Sequence, residues 1–175
     1  MRRGMLLIRL FTVVTLAALL FAGVSASGET KIPTGKVYWS GHAYQLISAT
    51  SANVKTWEEA LDYCKSKGGH LAIISSEYED KFVHTMIKYM DRDLYRVFIG
   101  YSDRIQEGNW MWVDGEDSHN AYSNWAPGEP NDEYGEPYAA IWTDTGKWND
   151  AKFRASDYEP AAHNTYLTYF ICEWD

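Results

Sequence analysis

Apolar residues recur at helical spacing in the segment KTWEEALDYCKSKGG, residues 55–69. Thr56 and Glu59 have the spacing of a capping box, and Gly68 follows the last apolar position. Lysines near the end of the segment suit the C-terminus of a helix. The pattern predicts an amphipathic helix with one buried face, made of Trp57, Ala60, Leu61 and Cys64.

A second helical pattern begins soon after the first. Ser76 and Glu79 form its capping pair, and the helical pattern stops after Asp93. The spacing predicts a core-facing side made of Phe82, Val83, Met86 and Tyr89.

The remaining apolar segments are short, aromatic and rich in β-branched residues, which indicates strands. They are VYWSGHAYQLIS (37–48), HLAIIS (70–75), YRVFIGYS (95–102), NWMWVDG (109–115), YAAIWTD (138–144), KWND (147–150) and TYFICEW (168–174). Two early helices followed by short strands predict an α+β fold. A long loop is expected over residues 114–136, and loops of that length in compact domains are usually functional or disordered. The aromatic residues around it argue against disorder.

The first 26 residues have the features of a secretory signal peptide. Arg2, Arg3 and Arg9 precede an apolar run over residues 10–22, and small residues follow up to Ala26. Cleavage after Ala26 would make the protein secreted; an uncleaved anchor is the alternative. No later segment is long and apolar enough to span a membrane. We therefore expect a signal peptide over residues 1–26, a polar lead over 27–36 and one domain over 37–175.

Charge and cysteine content narrow the possible functions. Removing the three arginines of the leader from 16 basic residues leaves 13, against 24 acidic ones, so the net charge is −11. Such a surface repels phosphate backbones and argues against a nucleic-acid partner, whereas divalent cations suit it; acid that serves only solubility is the alternative. Cys64 and Cys172 are predicted to form a disulfide in an exported protein, with two buried free thiols as the weaker alternative.

One cluster of side chains carries the candidate chemistry. The stretch NWAPGEPNDEYGEP (124–137) and the later KWND place carboxylates and amides on a turn-rich loop. These donors are all oxygens, and 6–8 oxygens at about 2.3–2.6 Å suit Ca²⁺ better than zinc or Mg²⁺. The proposed ligands are Glu129, Asn131, Glu136, Asn149 and Asp150.

These motifs resemble the C-type lectin-like domain, in its calcium-dependent sugar-binding branch. The resemblance covers residues 37–174 and includes ALDYC, HLAIISS, VFIGYSD, GEPND, KWND and FICEW, in the family's order. It implies a C-type lectin-like fold, with two helices, short antiparallel strands and a long calcium-binding loop region.

The resemblance also implies roles for the five ligands: they hold one Ca²⁺ that binds two neighbouring sugar hydroxyls. Glu129-Pro130-Asn131 implies a cis peptide bond and a preference for mannose-type sugars, whose 3- and 4-hydroxyls are equatorial. Each hydroxyl would accept a hydrogen bond from an amide and donate one to a carboxylate. The expected partners are mannose-type glycans; a calcium that only orders the loops is the alternative.

Three further residues resemble the family's auxiliary calcium site: Asp103, Glu107 and Asp132. Pro137 stands where another acidic ligand is expected, so solvated carboxylates without a metal remain an alternative. The family's second disulfide is also missing, and the matching positions are Tyr138 and Phe153, where aromatic packing is expected to substitute.

The remaining candidates are weaker. Tyr134 is the candidate for contact with a second sugar ring, and His42 and His70 are expected to be structural. The tryptophans near the long loop are expected in the core: Trp110, Trp112, Trp125 and Trp148.

Three classes of function compete. The leading one is a non-catalytic, calcium-dependent lectin, and the second is a related module that binds a protein or another surface. An enzyme with Glu129 and Glu136 as a glycosidase pair is disfavoured, because carboxylates that chelate Ca²⁺ are held ionised and make poor general acids.

Overall fold

The computed structural model describes residues 35–90, 94–115, 122–153, 156–157 and 166–175. They belong to one compact unit, Ile32–Asp175. The predicted signal peptide lies outside the described residues. Within them, none of the helices combines the length and the apolar character that crossing a bilayer requires.

Three helices and ten strands make up the described fold. The helices are α1 (Ala49–Ala52), α2 (Trp57–Ser66) and α3 (Glu77–Met90). The strands are β1 (Val37–Trp39), β2 (His42–Ser48), β3 (His70–Leu71), β4 (Arg96–Ser102), β5 (Met111–Trp112), β6 (Tyr138–Trp142), β7 (Trp148–Ala151), β8 (Ser156–Asp157), β9 (Tyr166–Leu167) and β10 (Tyr169–Trp174). The α+β prediction is confirmed, and the one-turn helix α1 is an addition that no periodic pattern could indicate.

The main sheet has the order β1-β2-β10-β4-β6-β7, with β3 on β10 and β5 on β4. Its pairs are antiparallel except for β10 with β4, which run parallel. The last strand therefore lies in the middle of the sheet, beside β2 from near the start of the domain. This arrangement brings the two ends of the domain together and leaves β7 at the opposite edge.

Helix α2 begins and ends where the sequence predicts. The Thr56 hydroxyl accepts from the Glu59 amide at 3.2 Å, and the Glu59 carboxylate accepts from the amide of Lys55 at 2.6 Å. The predicted apolar face is buried, and its Cys64 forms the expected disulfide with Cys172 on β10. This bridge joins α2 to the central strand.

Helix α3 departs from prediction on its buried side. Tyr89 is exposed, so its assignment to the core was wrong, and Ile87 and Met90 are buried instead. Glu79 and Asp80 are also buried. These two side chains of the first turn face inward, and their carboxylates can be buried because each accepts hydrogen bonds there.

The aromatic residues near the long loop form one side of the core. Trp110, Trp112 and Trp148 are buried, and Trp125 is half-buried and packs against them. The rings of Trp112 and Trp148 both contact Tyr101 on β4, with centroids 4.4 and 6.0 Å away. The predicted core position of these tryptophans is confirmed, and the loop that follows is built on a rigid support.

Two aromatic residues occupy the positions where the resemblance places a second disulfide. Tyr138 stacks on Trp57 at 5.1 Å between centroids, and Phe153 packs on Phe98 at 4.8 Å. Both belong to the same core cluster as the Cys64–Cys172 bridge. Packing against rings on α2 and β4 thus holds these two positions in place.

Candidate functional site

Two of the predicted ligands lie on an edge strand with their side chains buried. Asn149 and Asp150 are on β7, opposite Ala140 and Ala139 of β6. Their exposed fractions are 8% and 1%. The alanines opposite are small, and the pairing fixes the backbone beneath both polar side chains.

The segment before the ligand loop is fastened to the same strand. The amide of Ala126 donates to the carbonyl of Trp148 at 2.8 Å, and the amide of Trp148 donates to the carbonyl of Asn124 at 2.9 Å. The backbone contact with β7 thus ends at Ala126, three residues before Glu129. The first residues of the ligand motif are therefore held close to Asn149 and Asp150.

Asp150 holds the ligand loop from the other side. Its Oδ2 accepts from the backbone amide of Asn131 at 2.9 Å and from that of Asp132 at 2.6 Å. The Glu129–Pro130 peptide bond is cis, as the family resemblance implies. Glu129, Asn131 and Asp150 are therefore gathered at one place, although 19 residues separate the last two.

The two side chains that flank Pro130 bond to each other. The Asn131 amide Nδ2 donates to Glu129 Oε2 at 2.7 Å, and Asn131 Oδ1 accepts from the amide of Glu133 at 2.8 Å. Glu129 thus presents an acceptor beside a donor of Asn131. Such a donor and acceptor suit hydroxyl groups, which accept from amides and donate to carboxylates.

Two buried oxygens in the site have no hydrogen-bond partner. They are Asn149 Oδ1 and Asp150 Oδ1. The other polar atoms of both side chains are engaged: Asn149 Nδ2 donates to the carbonyl of Asp150 at 2.7 Å, and Asp150 Oδ2 holds the loop. Buried polar atoms are rarely left unpaired, and a lost partner costs about 1–3 kcal/mol or more for a charged group. A bound cation would pair with both oxygens, so the donor set fits Ca²⁺.

Electrostatics also favour a cation. Burial, together with the neighbouring Asp150 and Glu136, raises the pKa of Glu129 to about 7. Burial and the nearby Asp150 likewise raise the pKa of Glu136. Like charges in one place disfavour ionisation, and a divalent cation among them removes that repulsion.

The principal carboxylates do not form a tight three-member cluster. Among the residues that the structure describes, Glu129, Glu136 and Asp150 do not bring three carboxylate oxygens within 4.8 Å of one another. Ligands on opposite sides of a calcium ion lie up to about 5 Å apart, since each bond is about 2.3–2.6 Å. The case for Ca²⁺ therefore rests on the oxygen donors and the unpartnered atoms of Asn149 and Asp150, not on the spacing of these carboxylates.

The three residues of the predicted auxiliary site lie near one another. Asp103 is buried, its Oδ2 accepts from the amide of Gly108 at 2.9 Å, and its Oδ1 has no hydrogen-bond partner. Burial raises the pKa of Glu107, and the negative charges of Asp103 and Asp132 add to this effect. Asp132 Oδ1, however, accepts from the amide of Glu136 at 2.7 Å. One of its oxygens is thus engaged within the loop.

A support that sequence reasoning missed lies beneath the site. The carboxylate of Asp80 on α3 accepts from the indole Nε1 of Trp148 at 2.8 Å and from the side-chain Nδ2 of Asn124 at 2.7 Å. In the sequence Asp80 is only an acid in the first turn of a helix, where acids are common. Tyr134, by contrast, is 83% exposed within the ligand loop, as its proposed role in sugar contact requires.

Comparisons with known proteins identify the family of this chain. A model of the family described as "Lectin C-type domain" matches residues 53–174. Hepatic lectin of Gallus gallus is 34% identical over 137 residues, covering 78% of this chain and 56% of that protein. Asialoglycoprotein receptor 1 of Rattus norvegicus is 34% identical over 136 residues, covering 74% and 44%. The chain thus spans about half the length of these relatives, but a perlucin-like protein of Mytilus galloprovincialis is 31% identical, with 81% and 91% covered.

Solved structures show the same fold. The carbohydrate-recognition domain of cow CD23, crystallised in the presence of a GlcNAc2Man3 oligosaccharide, superposes with a TM-score of 0.61 at 28% identity, covering 81% of this chain and 94% of that one. Human lithostathine superposes with a TM-score of 0.64 at 23% identity, covering 82% and 98%. With the family model matching most of the domain, the chain belongs to the C-type lectin domain family.

Proposed function

We propose that this protein is a calcium-dependent lectin that binds mannose-type sugars through neighbouring equatorial hydroxyls. The observation that carries the proposal is the pair of unpartnered buried oxygens of Asn149 and Asp150, next to the Glu129–Asn131 hydrogen bond. The family is one of carbohydrate-binding domains rather than of enzymes.

The Glu129–Asn131 pair supports a specific exchange of hydrogen bonds. When a sugar binds, one hydroxyl accepts from Asn131 Nδ2 and the neighbouring hydroxyl donates to Glu129 Oε2. Their mutual 2.7 Å bond is then replaced without a change in donor or acceptor role. Ca²⁺ held by the same residues would coordinate both hydroxyl oxygens and remove the repulsion among the carboxylates.

The choice of mannose-type sugars rests on the order of Glu129 and Asn131 around Pro130. The cow CD23 domain was crystallised with a mannose-containing oligosaccharide, which supports this choice. Four relatives are named as asialoglycoprotein receptors, so glycans of asialoglycoproteins are the competing ligands. A test of specificity must therefore include both classes.

Export belongs to the same proposal. The predicted signal peptide over residues 1–26 would send the protein to the extracellular space, and the Cys64–Cys172 disulfide suits that compartment. The glycans that it meets there would be those of glycoproteins or cell surfaces.

A glycan array run with Ca²⁺ and with EGTA tests the proposal. We expect binding to mannose-type glycans in Ca²⁺, and loss of at least about 90% of the signal in EGTA. Asp150→Asn should abolish glycan binding, because the neutral amide keeps the shape of the side chain but lowers the affinity for Ca²⁺. Glu77→Gln is the matched control, since Glu77 is exposed and its carboxylate pairs with Lys81 on the same helix.

Two outcomes would contradict the proposal. Equal glycan binding in Ca²⁺ and EGTA would exclude the metal-bridged mode. Stabilisation by Ca²⁺ without binding to any glycan would favour the alternative, a module that binds a protein or another surface and uses Ca²⁺ only to order its loops.

A further inference from the structure

A second group of metal-binding side chains lies where the two ends of the domain meet. Glu173 on β10 pairs with Tyr44 of β2 on one side and with His70 of β3 on the other. His42 is the first residue of β2, and Asp175 follows β10. Two histidines therefore approach the end of β10 from its two neighbouring strands.

The distances in this group are those of hydrogen bonds and ion pairs, and they place the same atoms close enough to surround one ion. His42 Nδ1 lies 2.8 Å from Glu173 Oε1 and 3.2 Å from Asp175 Oδ1. Ligand atoms of these three residues all lie within 4.8 Å of one another. Donors at about 2.0–2.2 Å from a tetrahedral ion are about 3.3–3.5 Å apart, so small side-chain shifts make room for the ion.

His70 lies beside this group of three, outside the 4.8 Å limit, and is the candidate for a fourth donor. Its Nε2 lies 3.5 Å from Asp175 Oδ2, and its Nδ1 lies 2.9 Å from the carbonyl of Leu71. A backbone carbonyl that holds one ring nitrogen leaves the other free to bind a metal, which is the usual arrangement of a ligating histidine.

Burial and charge favour a cation at this point. Glu173 is only 2% exposed, and its Oε2 accepts from the amide of Ile73 at 2.8 Å, so Oε1 is held towards His42. Asp175 is 75% exposed, which leaves the group open to an ion from solvent.

The mixture of donors selects the metal. Ca²⁺ and Mg²⁺ prefer oxygen donors alone, whereas imidazole nitrogens with carboxylates suit Zn²⁺. We propose that His42, His70, Glu173 and Asp175 form a Zn²⁺ site, separate from the calcium-dependent sugar site. Two strands, β4 and β6, lie between β10 and the strand β7 that carries Asn149 and Asp150. Zinc would clip β2, β3 and β10 together and stabilise the fold without entering the sugar site.

Calorimetric titration of ZnCl2 into the full chain, with Ca²⁺ saturating, tests this site. We expect one Zn²⁺ per chain and a rise in melting temperature of about 4 °C or more at a large excess of zinc over its Kd. Replacing Zn²⁺ by Co²⁺ should give the visible absorption of a tetrahedral Co²⁺ site.

Three variants make the titration specific. His42→Gln with His70→Gln should lower Zn²⁺ affinity at least 100-fold and remove the Co²⁺ absorption. Asp175→Asn should lower affinity at least tenfold, and because Asp175 is exposed it leaves the core intact. His84→Gln is the control, since His84 bonds to the carbonyl of Thr143 away from the group, and it should bind Zn²⁺ like the wild type.

The alternative is that these four side chains are held together by hydrogen bonds and ion pairs and bind no metal. That alternative holds, and the proposal fails, if Zn²⁺ does not bind at saturating Ca²⁺. It also fails if Asp175→Asn and the double histidine variant bind Zn²⁺ like the wild type. Sugar binding is not part of these readouts, so the result is independent of the proposed lectin function.

Discussion

At the scale of single residues, the two oxygens of Asp150 have different tasks. Oδ2 fastens the amides of Asn131 and Asp132, and Oδ1 is buried without a partner. One carboxylate thus shapes the loop and leaves one oxygen for the proposed calcium ion. Because the same residue does both, loop order and metal binding are expected to be coupled.

The direction of hydrogen bonds around Pro130 can be reversed by exchanging two side chains. Glu129→Gln with Asn131→Asp keeps the net charge and the oxygen ligands, so Ca²⁺ should still bind. Mannose affinity should fall at least tenfold, because a mispaired polar contact costs about 1–3 kcal/mol. By resemblance to the family, preference should move towards galactose-type sugars, whose 4-hydroxyl is axial.

Competition binding with free mannose and galactose measures this change, and calcium affinity is measured separately. Glu77→Gln is a suitable control, since Glu77 is exposed and pairs with Lys81 on α3. Unchanged mannose affinity in a double variant that still binds Ca²⁺ would show that Glu129 and Asn131 do not read the sugar.

At the scale of elements, α3 supports the site through β7. Asp80 on α3 receives hydrogen bonds from Trp148, which immediately precedes the ligands on β7, and from Asn124, which begins the ligand loop. Burial raises the pKa of Asp80, while these donors lower it. Two N–H donors point at this buried position, so it requires a hydrogen-bond acceptor, and the carboxylate of Asp80 supplies one.

Asp80→Asn tests this support. The amide group places a donor where the carboxylate accepted, so one buried hydrogen bond is lost, at a cost of about 1–3 kcal/mol in the free energy of unfolding. Denaturant unfolding measures that loss, and calcium titration at 25 °C should show weaker binding. Glu77→Gln, one turn away on the exposed side, should change neither quantity by a measurable amount. A fully stable Asp80→Asn protein would show that the two hydrogen bonds are dispensable.

At the scale of the whole molecule, acidic charge and calcium act on stability in opposite directions. Glu129 has a raised pKa in the metal-free fold, so its contribution to stability is present below about pH 4.5 and is lost as pH rises through about 7. Glu136 shifts in the same direction. Bound Ca²⁺ requires the ionised carboxylates, so its stabilisation grows over the same range.

We therefore expect the melting temperatures of calcium-loaded and metal-stripped protein to diverge between pH 5 and pH 7.5. At a hundredfold excess of Ca²⁺ over its Kd the gain is about 2.7 kcal/mol. Thermal melts in metal-free buffer, with and without added Ca²⁺, measure the difference, and Asp150→Asn should remove it. A difference that stays constant with pH would contradict the assignment of these carboxylates as ligands.

Much of the fold follows from local patterns in the sequence. The apolar face of α2, its caps and the oxygen-rich ligand loop could be predicted, because spacing along a helix and the residue types of a turn are properties of neighbouring residues. Tyr89 shows the limit of such patterns: helical spacing allows it on the core side, but the packing of α3 turns it outward.

Only the tertiary structure decided which distant residues meet. The sequence by itself determined the family, the two main helices and the set of oxygen donors, since these depend on short motifs. The unpartnered oxygen of Asp150, the support by Asp80 and the meeting of His42 with Glu173 depend instead on strand register and on the burial of whole elements. His42 and Glu173 are 131 residues apart and become neighbours only because β10 pairs with β2. No local spacing encodes that contact, because it is set by long-range pairing in the sheet.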